Sequence, residues 1–286
     1  MAKSKLMSLF EAVSLVRRGD CLGIGGMTLY RKPMAFVREV ARRRIRDLTV
    51  IGFTSGFEAE VLALAGSLSV LRTCYFGLEF LGLSPVLRKS VERGDVKIVD
   101  ETECSLVLGL QASLMRVPYL PARDCAIGTD YFGTRHDWRR EPCPITGDVL
   151  TWMPQLAPRV AVIHVSMADE YGNAWLGGQH CIDAQLAMAA DVTIVTSERI
   201  ATTREIRNAQ GSAGLVSFMV DGVVEVPGGA HPTSCYPDYS LDVVHLAEYL
   251  SSDLASGQAY LTRYVDEPSG CSQYLSAALE GGNEFA

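Results

Sequence analysis

Residues 21–40, CLGIGGMTLYRKPMAFVREV, decide the fold of this chain and place its first candidate site. An apolar run ends in a glycine cluster, and two adjacent cations, a proline and an amphipathic segment follow. Glycines let the backbone approach a ligand closely, and Pro33 suits the first position of a helix. Amide groups at a helix N-terminus attract anions. With Arg31 and Lys32 beside it, this pattern predicts a strand, an anion-binding loop and a helix.

Composition narrows the class of protein. The 286 residues are 48% hydrophobic and 21% charged, which is typical of a globular protein with a large core. We expect one domain over residues 1–286. The net charge is −7 and no chain-wide basic stripe exists, so nucleic-acid binding is not expected. No apolar run is long enough for a membrane helix, and no cleavable leader is recognisable. The eight cysteines lack a regular framework, which favours reduced thiols in the cytoplasm.

Strand-like and helix-like segments alternate along the chain up to residue 117. The strands are apolar throughout and the helices between them span ten to fourteen residues, a pattern typical of a parallel sheet with helices on both faces. Right-handed crossovers then bring the strand-to-helix loops to one edge of the sheet, where ligands bind in open α/β folds. The sequence therefore predicts an α/β fold with its site at that edge.

Residues 121–157 interrupt this alternation. They are rich in proline, glycine, aspartate and aromatic residues and have no clear period, so we predict an irregular insertion of loops and short β pieces. Strand and helix signals resume at residue 159. LVSFMVDGVVEVP (215–227) reads as two short strands around Asp221-Gly222. Helical stretches are expected near 240–252 and 271–280.

Common cofactor motifs are absent. GIGG has Thr28 where the dinucleotide-binding pattern GxGxxG requires its third glycine, and no acidic residue closes the next strand. Phosphate-loop, HExxH and GxSxG patterns are missing as well. The only neighbouring histidine and cysteine are His180 and Cys181, so we expect no metal site.

Four motifs in order resemble the A (α) subunit of family I CoA-transferases, particularly the glutaconate CoA-transferase branch. They are GIGGMTLYRKPMAFVREV (23–40), TECSLVLGLQASLMRVPYLP (102–121), VAVIHVSMADEYGNAWLGG (160–178) and VDGVVEVPGGAHPTSCYPDYSLD (220–242). The resemblance covers about residues 8 to 242. It implies a CoA-transferase fold, a coenzyme A thioester as substrate, no permanently bound cofactor, and a homologous B subunit in a heterodimer or heterotetramer.

The resemblance also implies a mechanism. In this family a glutamate of the B subunit attacks the acyl-CoA thioester, and an incoming carboxylate finally collects the CoA. The A chain would complete the pocket. Gly25, Gly26 and Met27 are expected to turn backbone amides toward the acyl group, and Arg31 to clamp a substrate carboxylate. Ser55 and Gly56, after the second strand, are expected beside the first loop, in contact with the substrate.

Glu103 is the candidate catalytic residue of this chain. It lies at a predicted helix start on the active edge, where a carboxylate also suits a simple capping role. Relatives within the family cleave a ring in a steroid-derived acyl-CoA, using an acidic residue of the A chain at the matching place. Gln179, Asp183 and His231 are assigned to the subunit interface or the pocket, although the position of His231 in its loop favours a structural role.

The sequence leaves three functions open. The leading hypothesis is CoA transfer between small dicarboxylic acids of the glutaconate type. The first alternative is a subunit of an acyl-CoA decarboxylase, of the methylglutaconyl-CoA type, or of a steroid ring-cleaving acyl-CoA hydrolase. The second is a non-catalytic sensor of CoA esters or sugar phosphates.

Overall fold

Strands and helices alternate along the chain as the apolar pattern predicts. The computed structural model describes residues 3–123, 125–209, 214–251 and 257–279. Its strands are β1 (Cys21–Ile24), β2 (Leu48–Gly52), β3 (Thr54–Ser55), β4 (Leu68–Thr73), β5 (Tyr75–Phe76), β6 (Lys97–Asp100), β7 (Tyr119–Arg123), β8 (Arg139–Pro142), β9 (Val149–Pro154), β10 (Val160–Ala168), β11 (Ala174–Trp175), β12 (Val192–Ile200), β13 (Gly214–Leu215) and β14 (Gly222–Glu225).

The helices fill the connections between these strands. They are α1 (Leu9–Val13), α2 (Met34–Arg42), α3 (Phe57–Leu64), α4 (Pro85–Glu92), α5 (Glu103–Met115), α6 (Tyr131–Thr134), α7 (Asp183–Ala189), α8 (Thr203–Asn208), α9 (Val243–Ser251), α10 (Gln258–Leu261) and α11 (Cys271–Leu279). Glycines with positive φ end two of the early helical segments, Gly66 at 64° and Gly94 at 81°.

A nine-stranded, mostly parallel sheet forms the centre of the fold. Its main path runs β13-β11-β10-β1-β2-β4-β6, while β12 pairs with β10 and β14 with β12. The ladders among β1, β2, β4, β6, β10, β12 and β14 are parallel, and β11 and β13 pair antiparallel. Because these parallel strands point the same way, the loops after β1, β2, β4 and β6 lie at one edge.

Helices cover both faces of the sheet, which confirms the predicted α/β class. On one face, Leu48 and Val50 of β2 pack into the large core with α2, α3 and the C-terminal helices. On the other face, Ile51 packs against α5 and α7. Apolar side chains on both sides of a strand are what a doubly covered parallel sheet requires.

The predicted insertion is a small antiparallel sheet of its own. Strands β7, β9 and β8 pair in that order, and the sheet begins at Tyr119, two residues before the predicted start. Tyr119 stacks on Trp152 with 4.3 Å between ring centroids. Trp138 is buried among Ala122 and Met153. The aromatic residues thus give the insertion a core separate from the main sheet.

Two local predictions need correction. Residues 217–219 form a 3₁₀ turn, and β13 and β14 pair with different strands, so 215–227 is not a pair of strands around a turn. Residues 258–266 are helical, which the sequence did not indicate. The predicted ends of the last helices, 252 and 280, lie outside the described residues, and a single domain over 1–286 stays a prediction. Within the described ranges, no helix combines the length and apolarity needed to cross a bilayer.

Candidate active site

The first two loops of the active edge pack directly against each other. The Thr28 amide donates to the Thr54 carbonyl over 3.0 Å. At Gly56 a Cβ atom would lie 2.2 Å from the Thr28 carbonyl oxygen, so only glycine fits there. The second loop therefore lies beside the first, as the sequence predicts, while contact of Ser55 and Gly56 with a substrate stays a prediction.

The glycine loop folds tightly around a carboxylate of the same chain. Gly26 has a φ of 75°, and a Cβ there would lie 2.4 Å from the Tyr30 carbonyl oxygen. A Cβ on Gly25 would lie 2.4 Å from Oδ1 of Asp183. The glycines thus permit the close approach that their pattern predicts, and the group approached is Asp183 at the start of α7.

The three backbone amides that the sequence predicts to face a substrate all donate hydrogen bonds to oxygen atoms of this same chain. Gly25 donates to the Val162 carbonyl over 2.9 Å, and Gly26 to Oδ1 of Asp183 over 2.8 Å. Met27 donates to the Tyr30 carbonyl over 2.9 Å. These bonds stabilise the loop itself. A role of the three amides toward an acyl group stays a prediction, and in this arrangement none of their hydrogens is free for it.

Arg31 is an internal ion-pair partner rather than an exposed clamp. Its Nη2 lies 2.8 Å from Oδ2 of Asp183, and the two side chains are only 3% and 2% exposed. Its guanidinium also donates to the His164 carbonyl over 3.0 Å and to the Gln179 carbonyl. The expected substrate carboxylate is thus replaced by Asp183, which is itself buried and does not face a partner chain.

A small pocket of about 340 Å³ opens above this ion pair. Tyr30, Arg31 and Gln179 line it together with Gly178, Ser234 and Tyr236. Gln179 is exposed, in agreement with its assignment to a pocket or interface. The Nε of Arg31 is buried and has no hydrogen-bond partner among the described residues. Arg31 therefore keeps one buried donor group without a partner among the described residues.

Lys32 forms a second buried ion pair. Its Nζ lies 3.0 Å from Oε1 of Glu58, and both side chains are fully buried. Oε2 of Glu58 accepts the Gly56 amide over 2.9 Å, and Lys32 also donates to the Thr54 carbonyl over 2.9 Å. Ser55 is buried as well. Lys32, which the sequence predicts to lie beside a ligand, is thus paired with Glu58 of the same chain.

Glu103 begins α5 at the active edge, as predicted, and its side chain is exposed. It is not the cap of that helix. The Thr102 hydroxyl accepts the Ser105 amide over 2.9 Å, and the Ser105 hydroxyl accepts the Thr102 amide over 2.9 Å. This capping box leaves the Glu103 carboxylate available for other contacts.

A buried carboxylate that the sequence pattern did not predict lies two residues earlier. Glu101 is 1% exposed, and its oxygens accept bonds from Arg72 over 2.6 Å and from Arg135 over 2.7 Å. The Ser105 hydroxyl donates to it over 2.5 Å. Arg135 comes from the insertion, so this cluster fastens the insertion to the active edge. The available signal was that Glu101, the first acid of ETE (101–103), directly follows the predicted strand.

A larger cleft of about 870 Å³ lies between this cluster and α4. Phe76, which pairs with Ser55 of the second loop, lies in its wall, so the cleft adjoins the second loop. Cys74 lines it too. Burial, followed by the nearby negative charge of Glu103, raises the pKa of the Cys74 thiol to about 11. This thiol is therefore neutral at physiological pH, and Glu103 lies close to the cleft.

His231 has a structural role in this fold. Its Nδ1 and Nε2 lie 2.8 Å from the Tyr274 hydroxyl and 2.9 Å from Oδ2 of Asp242. Burial lowers the pKa of His231, although Asp242 opposes this effect. The imidazole joins the loop after β14 to the C-terminal helices. It is 1% exposed, so its assignment to a pocket or interface needs correction.

Among the residues that the structure describes, one group of side chains has the composition of a metal site, namely His164, Glu198 and Cys235. Both ring nitrogens of His164 are already bonded, to Thr196 over 2.9 Å and to Glu198 over 2.7 Å. Burial first, and the charge of Glu198 second, raise the pKa of the Cys235 thiol and keep it protonated. A metal ligand would have to be a thiolate. These residues therefore suit a hydrogen-bonded core cluster better than a metal ion.

Comparison with known proteins agrees with this geometry. The Coenzyme A transferase family model matches residues 6–225. The cholesterol ring-cleaving hydrolase IpdA subunit of Rhodococcus jostii is 32% identical, over 99% of this chain and 94% of that protein. A protein of Archaeoglobus fulgidus is 36% identical over 98% of this chain, which spans 60% of that longer protein's length.

Solved structures share the fold. Glutaconate coenzyme A-transferase from Acidaminococcus fermentans superimposes with a TM-score of 0.86 and 28% identity, over 96% of this chain and 92% of that chain. The decarboxylase AibA/AibB superimposes with a TM-score of 0.80 and 31% identity, over 91% and 97%. The curated A subunit of the Acidaminococcus enzyme is 29% identical over 96% of this chain. The chain therefore belongs to the coenzyme A transferase family, as a homologue of its A-type subunits.

Proposed function

We propose that this chain is one half of a heteromeric CoA-transferase that moves CoA between dicarboxylic acids, with the active site completed by a homologous B subunit. One observation carries the proposal. At the glycine-loop edge the buried carboxylates Asp183, Glu58 and Glu101 are all held by cations of the same chain. Covalent CoA transfer needs a free carboxylate as nucleophile, in a site that excludes water. None of these three is free, and Glu103 is exposed on this chain, so the nucleophile would come from the partner.

The surface around the edge supports a partner. Large apolar side chains are exposed there, with Phe80 70% and Leu83 55% accessible. Tyr75 and Tyr236 are also exposed. Glu79 lies close enough that its negative charge is the largest factor raising the pKa of Tyr30 in the 340 Å³ pocket. Apolar and aromatic side chains around a site are typical of an interface that excludes water when it closes.

The proposed chemistry is a sequence of acyl substitutions. The partner's carboxylate oxygen attacks the thioester carbonyl, the C–S bond breaks, and CoA leaves as thiolate. The thiolate then attacks the enzyme's carbonyl carbon of the mixed anhydride, which releases the free acid and leaves an enzyme–CoA thioester. An incoming carboxylate reverses both steps. This chain contributes the binding surface and excludes water from the anhydride.

The test is reconstitution. The chain alone and the partner alone should show no CoA transfer from glutaconyl-CoA to glutarate, a second small dicarboxylic acid, and mixing the two subunits should produce it. Substituting the partner's nucleophilic glutamate by glutamine should abolish transfer, while Arg18→Gln on the exposed surface of this chain should not. Robust transfer by the isolated chain would contradict the shared-site proposal.

A second function is favoured by one feature, the exposed carboxylate of Glu103 near the 870 Å³ cleft. A carboxylate with no capping duty suits a general base that activates water or removes a proton. The identity to the ring-cleaving hydrolase subunit supports the same alternative. In that case the partner would lack a nucleophilic glutamate, and the complex would hydrolyse or cleave its acyl-CoA without needing an acceptor acid.

A further inference from the structure

Two cysteines from different elements meet where the insertion packs on the main fold. Cys104 is the second residue of α5, and Cys125 lies in the insertion after β7. Both are free thiols, with Cys104 exposed and Cys125 half-buried. The Cys104 thiol is hydrogen-bonded to the thiol of Cys125. Their sulfur atoms therefore lie within hydrogen-bond reach of each other.

The packing of α5 accounts for this contact. Leu108 of α5 packs against the core of the insertion around Trp138, and Cys125 packs against the same core. Cys104 lies four residues before Leu108 and thus on the same face of the helix. The face of α5 that carries Cys104 is therefore the one that meets the insertion.

Hydrogen bonds and an ion pair hold both segments in place. The Cys125 carbonyl accepts the Thr151 hydroxyl of β9 over 3.1 Å, and its Sγ lies 4.0 Å from Oγ1 of Thr102, the cap of α5. The buried pair of Glu101 and Arg135, at 2.7 Å, joins the same two parts of the chain. A disulfide forms without strain only where the fold already holds two cysteines close together. The contact between these two thiols meets that condition.

The thiol of Cys104 is protonated in this surrounding. Burial, followed by the hydrogen bond with Cys125, raises the pKa of Cys104 to about 11. A thiolate is the form that attacks a disulfide, so exchange at neutral pH is slow. The pair is thus expected to be reduced at rest and to respond when an oxidant is abundant.

We propose that Cys104 and Cys125 are a redox-sensitive pair, which oxidised glutathione or another low-molecular-weight disulfide converts into a disulfide bond. The bond would fasten the insertion covalently to the first turn of α5. It would lie next to Glu103 and beside the ion pairs of Glu101, which join the same segments through charge. This inference does not depend on the proposed function.

The reaction consists of two thiol–disulfide exchanges. One protein thiolate attacks a sulfur of the glutathione disulfide, the S–S bond of that molecule breaks, and one glutathione leaves. The second protein thiol loses its proton, attacks the protein-bound sulfur and expels the other glutathione. Two protein thiols are oxidised, one glutathione disulfide is reduced, and the two protons end on the two glutathione thiols.

Peptide mapping of the full-length chain tests the proposal. After incubation with oxidised glutathione at about pH 8, where thiolates are more abundant, the protein is alkylated and digested without reductant. We expect a linked pair of peptides that contains Cys104 and Cys125, is lighter by two hydrogen atoms than the reduced peptides together, and separates on reduction. Cys143→Ser, in the same insertion, is the matched control and should form as much of this linked pair as wild type.

A second measurement tests the proximity of the thiols without an oxidant. Phenylarsine oxide, a trivalent arsenical, binds two neighbouring thiols at once. It should protect Cys104 and Cys125 together from alkylation in wild type, and it should leave Cys125 unprotected in Cys104→Ser.

Three results on the wild-type chain would overturn the proposal, so the answer does not require that a variant folds. They are recovery of Cys104 and Cys125 as separate peptides after oxidation, linkage of either one to a different cysteine, and full alkylation of both in the presence of the arsenical. Each of them leaves CoA transfer by a reconstituted heteromer untouched.

Discussion

The Arg31–Asp183 ion pair makes a quantitative prediction possible. In Asp183→Asn the side-chain oxygen can still accept the Gly26 amide, which now lies 2.8 Å from Oδ1. The negative charge opposite Arg31 is lost, and the guanidinium stays buried. Removing one partner of a buried pair costs about 3–5 kcal/mol. Because Arg31 keeps the His164 and Gln179 carbonyls, we expect a value near the lower limit, about 3 kcal/mol.

Urea denaturation of the chain, followed by circular dichroism, measures this cost. With a slope of about 3 kcal/mol per molar urea, the midpoint should fall by about 1 M. Arg18→Gln, which breaks an exposed pair with Asp47, is the control and should cost less than about 1 kcal/mol. Arg31→Met combined with Asp183→Asn should be less destabilised than the sum of the single variants, because the buried charge is gone. A cost below 1 kcal/mol for Asp183→Asn, or strict additivity in the double variant, would refute a structural role for this pair.

The capping geometry and the buried histidines give two more predictions. Thr102→Ala should cost about 1 kcal/mol in unfolding free energy because it removes the α5 cap, whereas Glu103→Gln should cost less than about 0.5 kcal/mol. If the reaction is CoA transfer, turnover of the reconstituted heteromer with Glu103→Gln should stay within threefold of wild type. A larger loss of turnover would favour Glu103 as a general base. Burial, reinforced by His231, lowers the pKa of His245 from 6.5 to about 3, so the unfolded state binds more protons and stability must fall as pH drops from 6.5 toward 3. Denaturation measured between pH 7 and 4 should show the unfolding free energy falling with pH, and His245→Phe should reduce this dependence by about 1.4 kcal/mol per pH unit. An unchanged pH dependence in that variant would contradict the lowered pKa of His245.

The fold was predictable because its signals are local. Strands such as β1, β2 and β10 are apolar on both faces. Segments with helical period follow β1 and β2, the first with Pro33 at its start and the second with Gly66 after its end. Such patterns need no knowledge of distant residues. The helical segment 258–266 was not predicted because its local signal is weak. Its five apolar residues are divided by Thr262 and Arg263, and its stability comes from packing. Tyr260 and Tyr264 there are almost fully buried against the main core.

The positions of the site loops were predictable as well, and the partners of their side chains were not. Arg31 and Asp183 are 152 residues apart in sequence. A cation after a glycine loop is equally compatible with a bound substrate and with a carboxylate contributed by the fold. Only the three-dimensional arrangement of α7 against the first loop decides between them. Glu101 was missed because nothing local distinguishes it from Glu103, and Arg135, its partner, lies in the irregular insertion.

The sequence pattern was nevertheless informative about chemistry, since it predicted an anion at the first loop and the structure contains two. Asp183 accepts the Gly26 amide and the Arg31 guanidinium, and Glu58 accepts the Gly56 amide and the Lys32 ammonium. Both carboxylates belong to the chain, so the charges that a substrate anion would need there are already neutralised. A substrate carboxylate therefore has to find its cation elsewhere on this chain or on the partner.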